Sequence, residues 1–110
     1  MKPVMTQNKF LQVLPKHILD KFDPHIEIVL VNRGDTDRDL TGRSDYIYFP
    51  ITSVYSLELE MADGFSSHLA LLGYRDAIGA RNLVDLTMTG VPRAIIAGYS
   101  LRMRSEIFAA

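Results

Sequence analysis

A strict two-residue alternation over residues 54–61, followed by a turn and a second apolar run, narrows the folds open to this chain. Tyr55, Leu57, Leu59 and Met61 fall on one side, and Ser56, Glu58 and Glu60 on the other. A period of two puts successive side chains on opposite faces of an extended strand. Ala62-Asp63-Gly64 supplies the turn, because an Asp-Gly pair accepts the positive φ that tight hairpins require. Residues 65–72 are expected to return as the partner strand.

Other segments fit the same architecture. Ile26, Ile28 and Leu30 share one strand face, opposite Glu27, Val29 and Val31, and Asn32-Arg33-Gly34-Asp35 is turn chemistry. Residues 36–45 are polar and read as an irregular loop. Tyr46-Ile47-Tyr48-Phe49 is a short strand stopped at Pro50, and two more short strands meet at Gly98. Helical spacing appears only at the edges. Phe10, Leu11 and Leu14 share a helical face, as do Ile18, Leu19 and Phe22, with Pro15 between them and Asp23-Pro24 ending the second stretch. Residues 80–86 are helix-compatible, and Ser105 is placed to cap a final helix. Short strands punctuated by turns predict a mainly β jelly roll with short flanking helices, as a single domain over residues 1–110.

Composition removes several function classes. The 110 residues include no cysteine, which closes disulfide and thiolate-metal readings. Twelve basic and 13 acidic residues leave a net charge of −1, without the broad positive field of a nucleic-acid binder. No apolar run approaches a membrane span, so the simplest reading is a soluble, cytoplasmic protein. His17, His25 and His68 lie too far apart in sequence for a cupin-type metal set, and no metal site is expected. Ser66 and His68 share a strand face without an orienting acid, and no serine sits in a Gly-x-Ser-x-Gly elbow, so no catalytic residue is expected. Asp35, Asp37 and Asp39 alternate as in a calcium loop. The glycine and terminal glutamate of that loop are out of place, and interleaved Arg33, Arg38 and Arg43 suit a solvated loop. One segment keeps chemical interest. Gly73-Tyr74-Arg75-Asp76-Ala77-Ile78-Gly79 has glycines that can expose backbone N–H groups to an anion, with Arg93 downstream as a charged partner.

Several motifs occur in an order that resembles the cyclic-nucleotide-binding-like domain of Crp/Fnr-type transcription regulators, in a divergent bacterial subgroup. They are Asn8-Lys9-Phe10-Leu11 with Leu14-Pro15, then Ile47-Tyr48-Phe49-Pro50 with Ser53 and Ser56-Leu57, then Met61-Ala62-Asp63-Gly64, then Pro92-Arg93-Ala94. The resemblance implies a double-stranded β-helix with an N-terminal helical lid and a phosphate-binding cassette between Gly73 and Ala94. It places a ligand pocket at Gly73, Arg75, Asp76, Gly79, Arg93 and Ala94. It also implies a small-molecule effector and pairing with a second copy, and names no cofactor.

Within the cassette, cyclic-nucleotide binders carry a glutamate for the ribose and an arginine for the phosphate. Here the first position reads Tyr74-Arg75-Asp76, with only the shorter Asp76. Aligning Ala94 with the family alanine puts Pro92 where the arginine belongs, and a one-residue shift turns Arg93 to the other strand face. Cyclic AMP and cyclic GMP are therefore expected to bind weakly or not at all. Family regulators carry an apolar strand where this chain reads Thr36-Asp37-Arg38-Asp39, and they continue into a dimerisation helix and a helix-turn-helix beyond the position of Ala110. The expected role is a sensor module without the DNA-binding half. A ligand-free β-roll for protein interaction is the first alternative and a small cupin-like protein the weakest.

Overall fold

The computed structural model describes residues 3–36, 45–60, 67–79 and 92–109. The Asp63-Gly64 turn, Ser66, the loop over 37–44 and the helix-compatible stretch at 80–86 lie outside these residues. Among the described residues, six strands form two antiparallel three-stranded sheets. In the first, β6 (Gly98–Arg104) is central, between β1 (Glu27–Val31) and β2 (Tyr46–Pro50). In the second, β3 (Val54–Glu60) is central, between β4 (Ser67–Leu72) and β5 (Arg93–Ile96).

The alternating segment is this second sheet's middle strand. Tyr55 pairs with Leu72, Leu57 with Ala70 and Glu60 with Ser67, so β3 and β4 pair antiparallel as expected. Tyr55 and Leu57 are buried, and Val54 and Ser56 are half-buried. A β-bulge between Val54 and Tyr55 shifts the pairing with β5.

Helices cover the outer face of the first sheet. They are α1 (Lys9–Gln12), α2 (Lys16–Phe22) and α3 (Ser105–Ala109), with 3-10 turns at Pro3–Gln7 and Asp23–His25. As expected, α2 ends at Phe22, and Asp23-Pro24 opens the separate 3-10 turn that follows, since proline fits a first helical turn. Ile47, Phe49, Leu101 and Met103 project toward Met5, Leu11, Leu19, Phe22 and Ile26, forming the larger core. Phe108 of α3 stands 5.6 Å from Phe22 and 6.2 Å from Phe49, ring centre to ring centre. The expected capping role of Ser105 is not what is found. Its hydroxyl and its N–H both donate to the Asp45 carbonyl, fastening α3 to the start of β2.

The inner face of the first sheet meets the second sheet. Val31, Tyr55, Ile78 and Ala94 are buried together, with Val29, Tyr48 and Leu72 packed against them. One sheet therefore separates an apolar, helix-covered side from a more polar inter-sheet side. The layering follows from two-residue periodicity: Ile47 and Phe49 face the helices, while Tyr46 and Tyr48 face inward.

Two polar contacts fix the layers. Asn8 is completely buried and caps α1 by accepting from the Leu11 N–H at 3.1 Å. Its amide donates to the Pro50 carbonyl at 2.8 Å and the Asp76 carbonyl at 3.1 Å. The second contact joins Ser53 and Ser100, whose buried hydroxyls lie 2.8 Å apart. Beside them Gly98 passes so close to the chain that an added Cβ would stand 2.7 Å from the Ser53 nitrogen.

Candidate functional site

The glycine segment singled out in the sequence forms a closed turn. The Gly73 N–H donates to the Asp76 carboxylate at 2.8 Å, and the Asp76 N–H donates back to the Gly73 carbonyl at 2.9 Å. This is the short-range bonding at which aspartate excels, and it turns the Asp76 carboxylate toward its own backbone. The Lys9 N–H donates to the Tyr74 carbonyl at 2.7 Å, which attaches the turn to α1. Arg75 and Tyr74 are exposed, with the Arg75 guanidinium 5.5 Å from the ring centre. A hydrogen bond from Arg75 and its positive charge hold the Tyr74 phenol below its ordinary pKa. Ile78 exchanges two backbone hydrogen bonds with Tyr48, extending the first sheet, and Gly79 follows in the left-handed region at φ +98°.

Arg93 and Ala94 stand on opposite faces of β5. Ala94 is buried against Val31, Tyr55 and Ile78. Arg93 is exposed, and its guanidinium donates to the Gly34 carbonyl at 3.1 Å. The Gly34 N–H donates to the Ala94 carbonyl at 2.8 Å and the Ala94 N–H to the Asp35 carbonyl at 2.7 Å, so the turn at residues 32–35 docks on this strand. Gly34 itself takes the positive φ of +96° that the turn needs. Gly73, Asp76 and Asn8 thus gather at one place, Arg93, Ala94 and Gly34 at another. Among the described residues no polar contact joins the side chains of Arg75, Asp76 and Arg93 to one another.

The inter-sheet side holds a cleft of about 430 Å³. Val29 and Val31 of β1, Tyr48 of β2, Tyr55 of β3 and Arg102 of β6 line it. The turn at Gly34, Asp35 and Thr36 forms another wall. The six residues of the predicted pocket are not among the described residues that line this cleft. Its one guanidinium among them belongs to Arg102, whose Nε donates to Glu27, the residue opposite it on β1. The guanidinium lies 4.2 Å from the centre of the Tyr46 ring. Partial burial works against its charge, but hydrogen bonds to Glu27 and Tyr48 outweigh that cost, and its pKa is held above the ordinary arginine value. Arg104, paired with Glu106 at 3.0 Å, also approaches the Tyr46 ring, at 5.7 Å.

Sequence reasoning gave no site role to Arg102, and none to Tyr48 or Asn8 beyond their places in the motifs. The Leu101-Arg102-Met103-Arg104 alternation carried a signal, since apolar residues at that spacing place the arginines on the opposite face. Which strands flank β6, and hence that Tyr48 and Glu27 meet Arg102, rests on long-range register that no local pattern encodes.

The same two-sheet roll with helical cover recurs in solved structures. The sensor domain of the transcriptional regulator DNR from Pseudomonas aeruginosa superimposes with a TM-score of 0.66 at 9% identity, over 99% of this chain and 78% of that one. The regulatory domain of Toxoplasma gondii PKA, solved with cAMP, gives 0.67 at 12% identity, over 96% of this chain and 41% of that one. The fold is that of a cyclic-nucleotide-binding-like domain. This β-roll also matches the N-terminal domain of a transcriptional regulator from Streptomyces coelicolor A3(2), with a TM-score of 0.60 at 21% identity over 94% of this chain and 73% of that one. No family model matches the β-roll, and no curated protein is similar to it in sequence.

Arg93 projects outward, and the Asp76 carboxylate is taken up by the Gly73 N–H. No described helix is long and apolar enough to cross a membrane, and no described group of His, Asp and Glu side chains has the makings of a metal site.

Proposed function

We propose that this β-roll is a sensor module of a Crp/Fnr-type transcription regulator, a cytoplasmic binding domain without catalytic activity, whose effector occupies the cleft between the sheets. The cleft itself carries this reading: about 430 Å³, lined by two tyrosines and an arginine, inside a fold shared with regulator sensor domains. Pockets of this size suit small molecules. Cyclic AMP and cyclic GMP are not its effectors in this reading, because Arg93, which the resemblance would set on the cyclic phosphate, is exposed and bonded to the Gly34 carbonyl, and Arg102 already carries a carboxylate partner in Glu27. Nor does the module bind duplex DNA by itself, given a net charge of −1.

Titration calorimetry of the whole chain with both cyclic nucleotides tests the reading, with a duplex-DNA mobility shift alongside. No heat of binding at micromolar nucleotide and no shifted band are expected. Micromolar binding that disappears in Arg93→Ala would restore the cyclic-nucleotide reading.

A second reading has its own observation. On the outer face of the second sheet, Leu69 and Leu71 of β4 are 69% and 62% exposed, and Ile95 of β5 is exposed across the central β3 from them. Exposed apolar side chains on one sheet face favour a protein-interaction role, including pairing with a second copy.

A further inference from the structure

The ion pair in the cleft suggests what the effector is, granted that the cleft is the effector site. Glu27, Arg102 and Tyr48 stand in one row across β1, β6 and β2, on the inward face of the first sheet. Arg102 is the more enclosed member of the pair, with 29% of its side chain exposed against 51% for Glu27. Its guanidinium lies over the Tyr46 ring, and Tyr48 stands opposite it on β2. A guanidinium carries five N–H donors in a rigid fork that matches a carboxylate, and the Glu27 contact uses the Nε donor.

We propose that the cleft binds a small organic carboxylate, with Arg102 as its anchor and Glu27 as the internal carboxylate that the ligand replaces. The chain already satisfies this arginine with a carboxylate, so a ligand of the same chemistry exchanges one charge-assisted contact for another. Displacement costs little on the Glu27 side, because its side chain is half in water and an exposed pair contributes little. A monoanion suits the cleft better than a dianion. Arg102 is the one cation among the described lining residues, while Asp35 is part of the wall and Glu27 adjoins it. The cleft offers a ligand little apolar surface, since Val31 and Tyr55 are both buried, so recognition rests on the carboxylate rather than on the body of the ligand.

Nuclear magnetic resonance of the whole chain, titrated with benzoate, cyclohexanecarboxylate and neutral benzamide, provides the test. Both carboxylates are expected to move the Arg102 Nε–H and Tyr48 signals saturably, and benzamide is expected to do so far less. Arg102→Gln should weaken carboxylate binding about tenfold, the loss of a charged hydrogen bond. Glu27→Gln should strengthen it, because the internal competitor is gone; a merely structural pair predicts the opposite. Carboxylate binding unaffected by Arg102→Gln, or weakened in Glu27→Gln, overturns the anchor. So does benzamide binding as well as benzoate, although the cleft would then still be an effector site. If neither the carboxylates nor benzamide moves any cleft signal, the effector site falls together with its anchor.

Discussion

Asn8 does more for this molecule than its size suggests. One side chain caps α1, holds the end of β2 through the Pro50 carbonyl and holds the glycine turn through the Asp76 carbonyl. Removing it leaves two carbonyls and a helix N–H without these partners. Asn8→Ala is therefore expected to destabilise the fold by about 2–4 kcal/mol in urea denaturation. Asn8→Asp keeps the capping acceptor but lacks the amide donors, so it should recover little of that loss. The sequence carried part of this, since asparagine directly before an apolar helical run is a capping signal. The two long-range bonds were hidden, because nothing local says that residues 50 and 76 lie beside residue 8. The same reason concealed Arg102: an arginine on an alternating strand has a face, but its neighbours come from register.

At the level of elements, legibility follows how local the determining contacts are. The β3–β4 hairpin could be read directly, because alternation and turn chemistry lie within one stretch of chain. The face shared by Ile26, Ile28 and Leu30 was also readable, but not which residues that face would bury. Ile26 is enclosed by the helical cover, whereas Ile28 and Leu30 lie beyond it and stay exposed. Helix α3 shows a short element held by packing instead of propensity. Five residues are too few for an independent helix, and Phe108 secures it among Phe10, Phe22 and Phe49. Phe108→Ala is expected to cost about 2–3 kcal/mol, below the range for a fully buried ring because this one is half-buried. Circular dichroism during urea unfolding would give that value, and a change under 0.5 kcal/mol (about the scatter for surface positions) would mean that α3 is not anchored there.

The whole molecule is organised around β6, which contributes to both sides of the first sheet. Leu101 and Met103 enter the helix-covered core, while Ser100 and Arg102 face the second sheet. The family resemblance anticipated this architecture, since the ordered motifs fix the sequence of strands without fixing side-chain directions at the site. Of the predicted pocket residues, Asp76 and Arg93 bond to the turns beside them, Asp76 to Gly73 and Arg93 to Gly34.

The position of β6 also has a consequence for the order of assembly. Its partner β1 lies far back along the chain, whereas only residues 61–66 separate β3 from β4. Closing the long loop is entropically costly until the intervening strands have condensed, so topology favours an early hairpin and a late first sheet. Stopped-flow refolding is expected to slow in Leu57→Ala, while Leu101→Ala should mainly hasten unfolding. A chain caught midway would already own its hairpin yet hold no cleft, because the strand bearing Arg102 is the last to be placed.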